Sequence, residues 1–190
     1  MATTTPQDGG AATRAEAIRE AAIREEPRHR RLLRSSRDGR LLSAVMLPFL
    51  EIWAPAGYGV LTTTGRKSGM QRRKCIRAIR RGNKVFIVQL RPPALAVERP
   101  TVVSGWVWNI RANPNVTLRL GRRTYAGVAR EIEDPRELEQ ASESICETVH
   151  LTDYDECALH MRGFPTREKI KAMHRYWFDT GIPLVVELRE

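Results

Sequence analysis

From Tyr58 to Ile132 the chain alternates short β-branched runs with tight turns, and this alternation limits the fold more than any other feature. Residues 58–64 are β-branched and aromatic and end in a turn over 65–69. Residues 72–80 read as a second strand, with Cys75 and Ile79 two steps either side of Arg77. Gly82-Asn83 then makes a hairpin into a third strand, 84–90. Residues 116–120 and 123–132 form another hairpin about Gly121, and 183–188 a final strand. Hairpins join antiparallel neighbours, whereas a doubly wound parallel sheet needs a helix between successive strands. The pattern therefore predicts an α+β fold, a small antiparallel barrel decorated by helices.

The helical segments lie outside and between these strands. Residues 14–26 place Ala15, Ile18, Ala22 and Ile23 on one side of a helix that Pro27 stops. Residues 41–53 are strongly apolar, interrupted by Pro48, and too short to span a bilayer. Core packing is the favoured reading for them. The basic stretch before them keeps peripheral membrane contact through 41–53 open. Ser104 could cap a helix to Ala112, and Asp134 with Pro135 starts another to about Glu147. Residues 166–178 form a further helix, and 91–103 read as a proline-rich loop. The division that results is a disordered tail over 1–13, a helical extension over 14–56 and a barrel domain over 57–190. At 190 residues the chain can bury one core.

Charge is distributed unevenly. Between Ile52 and Val97 stand ten bases (Arg66, Lys67, Arg72, Arg73, Lys74, Arg77, Arg80, Arg81, Lys84 and Arg91) and no acid, whereas the chain from Glu131 onward is rich in acids. A cationic segment of this kind attracts anions. A nucleic-acid partner is not expected, because these strands lack interleaved aromatics for base stacking. Cys75, Cys146 and Cys157 are too scattered for a disulfide framework, and residues 1–12 lack the order of a secretion signal. Both point to the cytoplasm. Oligomeric state is not legible.

The chemistry concentrates in Thr62-Thr63-Thr64-Gly65-Arg66-Lys67-Ser68-Gly69, followed by Arg72. A strand leads into a turn whose glycines permit close approach, with two adjacent cations and several hydroxyls around backbone N–H groups. A phosphate needs those donors. A nucleoside-triphosphate loop would lack the intervening Arg66 and would lead into a helix, not a strand.

This run resembles the signature of the deazaflavin-dependent nitroreductase family. The segment Trp106-x-x-Asn109-Ile110-x-Ala112-Asn113-Pro114-x-Val116 and the run Gly181-Ile182-Pro183-Leu184-Val185-Val186 are similar to further family features. The resemblance implies a split β-barrel related to flavin reductases and pyridoxamine-phosphate oxidases. It implies coenzyme F-420 (8-hydroxy-5-deazaflavin), delivering hydride to a small electron-poor substrate such as a quinone, nitro compound or activated alkene. By the same resemblance Thr64, Gly65, Arg66, Lys67, Ser68, Gly69 and Arg72 grip the coenzyme phosphate. Trp106 and Asn109 join them, and the excess cations suit the coenzyme's polyglutamate tail.

Two departures stand out. Where the family commonly has a small-residue segment ending Ser-x-Gly-Gly against the ring, this chain has Val88-Gln89-Leu90-Arg91-Pro92-Pro93. Tyr154 is the nearest counterpart of tyrosines that the family sets over the substrate, and is the candidate proton donor. Residues 92–104 and 151–164 are expected to wall the substrate pocket. The alternative is a non-catalytic split-barrel binder of haem, flavin or another anionic ligand. Cys146, His150, Cys157 and His160 have spacings compatible with zinc. Buried thiols and surface histidines are the favoured reading, so no metal is expected.

Overall fold

The computed structural model describes residues 8–30 and 36–189. Seven strands form one antiparallel sheet: β1 (Tyr58–Thr64), β2 (Gln71–Arg77), β3 (Ile79–Arg81), β4 (Lys84–Gln89), β5 (Asn115–Leu120), β6 (Arg123–Glu131) and β7 (Ile182–Leu188). Their order is β2-β1-β5-β6-β7-β4-β3. The two edge strands, β2 and β3, are consecutive in sequence with only Ala78 between them. One residue cannot span a flat seven-stranded sheet, since strands lie about 4.8 Å apart. The sheet must therefore roll until its edges meet, which makes it a split β-barrel. The strand expected over 72–80 is thus two strands broken at Ala78, whose N–H donates to the Gly57 carbonyl at 2.8 Å.

Strand alternation builds the core. Leu61, Val85, Ile87, Val116, Leu118, Leu184 and Val186 point into the barrel and are buried. The residues between them on β4 and β7, Phe86, Val88 and Val185, point outward into a second cluster with Ala141, Ile145 and Phe178. These belong to α5 (Pro135–Glu147) and α7 (Arg167–Thr180). Both faces of β4 and β7 are covered, so their sequences are continuous apolar runs. Each fully buried Phe, Ile, Leu or Val contributes about 1.5–3 kcal/mol.

Caps set the helix starts. Asp134 accepts from the Glu137 N–H at 2.8 Å with Pro135 behind it, and Thr166 accepts from the Lys169 N–H. Ser104 precedes α4 (Gly105–Ala112) but makes no side-chain cap bond; its N–H instead donates to Gln89 Oε1 at 2.7 Å. The expected loop over 91–103 contains α3 (Pro93–Glu98). The first helix, α1, runs over Asp8–Glu25, so residues 8–13 of the expected disordered tail are helical; 1–7 lie outside the described residues. It packs Ile18 and Ala22 against Ala96 of α3.

The segment 41–53 corrects a second expectation. It is helical as part of α2 (Ser36–Ile52), with Pro48 inside, but only one side is packed. Leu50 and the nearby Leu47 meet Val60, and Ser43 Oγ accepts from the Cys75 N–H at 3.0 Å. Leu41, Val45, Phe49, Ile52 and Trp53 remain exposed. They recur at three- and four-residue steps, so they form one outward stripe. Among the described residues no helix is long and apolar enough to cross a membrane.

Glu137 ties α5 to the barrel. It is buried, accepts from Lys84 at 2.6 Å, and takes a two-pronged contact from Arg130 at 2.7 and 3.1 Å. Arg130 above all, and then Lys84, hold its carboxyl below the usual carboxylate range. A carboxyl whose folded pKa is depressed contributes stability above its unfolded pKa, about 4.3, and loses it as pH falls through the folded value. Glu137→Gln should destabilise at neutral pH by about 1–2 kcal/mol, with the exposed Arg130 partly screened. In urea unfolding the gap between wild type and variant should close as the pH is lowered toward 3. A gap independent of pH would mean that the carboxylate charge is not the tie.

Candidate functional site

The hairpin loop between β1 and β2 is a single helical turn. Gly65 N–H donates to the Met70 carbonyl at 2.8 Å, closing the hairpin. The Gly65 carbonyl then accepts from Ser68 N–H at 3.2 Å and Gly69 N–H at 2.7 Å. Gly69 leaves the turn with φ of +67°, a conformation that costs other residues about 1–2 kcal/mol. At Gly65 an added Cβ would stand 2.8 Å from Ser68 Oγ and 3.1 Å from the Met70 carbonyl, so Ser68 would have to turn away and the hairpin give slightly.

Asn109 of α4 locks this turn from below. It is buried, its Oδ1 accepts from Arg66 N–H at 3.1 Å, and its Nδ2 donates to Thr63 Oγ1 at 3.1 Å. The exposed backbone donors expected for a phosphate are therefore largely committed within the protein. Gly65, Arg66, Ser68, Gly69 and Met70 all donate to protein acceptors. What the loop offers an anion is side chains: Arg66, Lys67, Ser68 and Arg72 are all exposed, with Thr64 half-buried at the strand end. Among the described residues no acid pairs with Arg66, Lys67 or Arg72.

The two tryptophans of α4 have different places. Trp106 packs against the barrel core, whereas Trp108 is 41% exposed and stands between two guanidinium groups. Arg66 lies 5.3 Å and Arg111 4.7 Å from its ring centroid. Arg111 is itself held by Glu131 at 2.6 and 3.2 Å. Trp108 is thus the aromatic beside the loop, and the sequence carried a signal for it. At about 100° per residue, Val107 and Ile110 define the buried side of α4, and Trp108 falls about 130° from its centre against about 70° for Trp106.

The cationic segment does not act as one anion site. Arg73 pairs with Glu51 at 2.5 Å, and Lys84 with Glu137. Arg77 is buried against Asp153, and its other nitrogen donates to the Thr148 carbonyl at 2.8 Å. Arg81 reaches Thr148 Oγ1 at 2.9 Å. Arg91 is buried and donates to the Thr180 carbonyl, to Gly181 O at 3.2 Å and to Val102 O at 3.3 Å. Several of these partners come from the acidic half of the chain folding back, which no local reading of 52–97 could foresee.

Tyr154 lies apart from the loop. It is on α6 (Thr152–His160), half-buried against the cluster of Met173, Tyr176 and Trp177. Its neighbour Asp153 pairs with Arg77, which lies opposite Tyr58 in the β1–β2 register, while Thr64 lies opposite Gln71. Six steps of strand, about 20 Å, separate those two ends. The expected pocket walls do meet, since Pro92, Pro93 and Ala94 face His160. Glu26, His29 and Arg30 close in on them, leaving a cavity of about 20 Å³. That holds roughly one water. The substituted segment is stapled as well: Gln89 Nε2 donates to Val102 O at 2.9 Å. Cys146 ends on α5 while His150 follows beyond it, and these two with Cys157 and His160 form no group close enough to hold an ion among the described residues.

A family model described as F420H(2)-dependent quinone reductase matches residues 52–159, more than half of the chain. The chain belongs to this family. It is a deazaflavin-dependent oxidoreductase, and F420 is its coenzyme. The matched span of this quinone-reductase family member holds the loop, α4 and the Arg77–Asp153 pair, while α1 and α7 lie outside it. Solved structures similar to it include an F420-H2 dependent reductase (FDR-A), 20% identical over 70% of this chain and 94% of that one, with a TM-score of 0.43. A conserved hypothetical protein from Mycobacterium tuberculosis is 18% identical over 77% and 80%, at 0.46. HutZ, a haem storage protein from Vibrio cholerae, is 11% identical over 76% and 89%, at 0.43. No match was found among curated proteins.

If Asn109 holds the turn, removing it should loosen the loop and little else. In Asn109→Ala the Arg66 amide should exchange with solvent about tenfold faster or more, while amides of Leu61 and Leu118 keep their rates. An unchanged Arg66 rate in a folded variant would show that the turn stands without the side chain.

Proposed function

We propose that the β1–β2 loop grips the phosphate end of the coenzyme, and that the protein uses the reduced coenzyme to reduce an electron-poor acceptor, a quinone before a nitro compound or activated alkene. The observation that carries this reading is the group Arg66, Lys67 and Arg72 around Ser68, which no acid pairs among the described residues, beside a turn fixed by Asn109. A forked guanidinium beside a mobile ammonium and a hydroxyl suits a phosphodiester and the first carboxylates of an acidic tail. The bound reduced deazaflavin would supply a hydride to the acceptor. The chain's own part is to bind and orient: Arg66, Lys67 and Arg72 by charge, Ser68 and Thr64 by hydroxyl, and Gly65 and Gly69 by letting the turn close. Trp108, flanked by Arg66, presents an aromatic face at the same edge. The proton that completes the reduction comes from Tyr154 or from solvent.

Titration of the protein with oxidised coenzyme, followed by fluorescence, tests the reading. Binding should saturate, weaken with salt, and fall roughly 100-fold in Arg66→Ala/Lys67→Ala, as two charge-assisted contacts require. Intact protein that binds no coenzyme would sink the proposal and favour a repurposed barrel for haem or flavin, seen as a coloured cofactor on purification.

The outward stripe of α2 suits an acceptor drawn from a lipid phase. Arg119 reaches the Ile52 carbonyl at 3.5 Å, which puts a cation at the end of the stripe. The protein should therefore co-sediment with vesicles of anionic phospholipid, and Leu41→Ser/Phe49→Ser/Trp53→Ser should abolish this. Equal partition of both proteins would remove the membrane from the reading.

A further inference from the structure

Toward the end of the barrel away from the loop lies a buried polar cluster that the coenzyme site does not use. Asp153 and Glu156 are three residues apart on α6, which sets their carboxylates on one helical face. His174 faces them from α7. One ligand-type atom of each lies within 4.8 Å of those of the other two. Asp153 and His174 are fully buried, at 0% exposure.

Buried polar atoms normally have partners. Here both ring nitrogens of His174 and Oε2 of Glu156 have none. Asp153 is paired with Arg77 and accepts from the His150 N–H at 2.7 Å, and Tyr58 hydrogen-bonds Glu156, while Nε of Arg77 is also left without a partner. A nitrogen lone pair and a carboxylate oxygen are therefore left over, in the same small space as a second carboxylate.

We propose that Asp153, Glu156 and His174 bind one first-row divalent metal ion of the zinc class, pinning α6 to α7. The donor set of one imidazole and two carboxylates suits zinc, manganese or ferrous iron better than calcium or magnesium, which prefer all-oxygen sites. Three protein ligands leave a position for water. Arg77 neutralises one carboxylate, so the ion balances chiefly Glu156. The ion stands well away from Arg66 and Lys67, so its role is to hold the helices, and its presence is independent of coenzyme binding.

Untagged protein, stripped with a chelator, should be titrated with zinc and with cobalt as a spectroscopic substitute. Uptake of about one equivalent per chain, with visible cobalt bands and a rise in Tm, is expected. Glu156→Gln and His174→Gln should each weaken uptake more than about tenfold with far-UV circular dichroism retained, and His29→Gln should not. If the two ligand variants do not fold, the wild-type cobalt spectrum and the metal-dependent Tm decide alone. Stripped wild type that stays folded, takes up no metal and shows no change in Tm would overturn the proposal. A proton shared between Glu156 and His174 would then fill the gap.

Discussion

Arg77 stands where the two edges of the sheet meet, and the fold depends on it. It is the last residue of β2, next to the single residue that carries the chain across to β3. Its guanidinium is buried against Asp153 and the Thr148 carbonyl. The seam of the barrel is thereby tied to α6 and to the connection leading into it. Removing one partner of such a buried pair costs about 3–5 kcal/mol, because the other charge is stranded. That is a large share of the 5–15 kcal/mol by which a domain is ordinarily stable. The same residue borders the Asp153–Glu156–His174 cluster, so the seam and the cluster are one polar unit.

Charge in this molecule is sorted by folding. Arg77 and Lys84 are consumed by acids that lie far along the chain, and Arg91 by carbonyls at the end of α7 and at Val102. Arg66 and Lys67 on the exposed turn, and Arg72 at the start of β2, meet no acid among the described residues. An anion meets the residue of a cancellation, and that residue is concentrated at one loop.

Much of the β1–β2 loop was legible beforehand because it is local. The run from Thr62 to Gly69 encodes a strand, a turn and its cations within eight residues, and the turn forms where expected. Its backbone did not match expectation: the N–H groups that looked available are used by the Gly65 carbonyl and by Asn109, a partner forty-three residues away. Tyr154 was placed by analogy of position, and helix packing carries it toward the other end of the barrel. The apolar run 41–53 looked like core because hydrophobicity alone does not say which side of a helix will find a partner.

The sequence by itself determined the hairpins β1–β2, β3–β4 and β5–β6, the helix starts at Asp134 and Thr166, and the cationic turn, since each rests on contacts close along the chain. Only the tertiary structure decided that the strand over 72–80 breaks at Ala78, which cations remain free, and that α1 and the turn after it fill the space beside Pro92 and Pro93. It also decided that Asp153, Glu156 and His174 converge. Those outcomes depend on which distant segments share the limited surface of a rolled sheet, and the rolling is a property of the whole sheet.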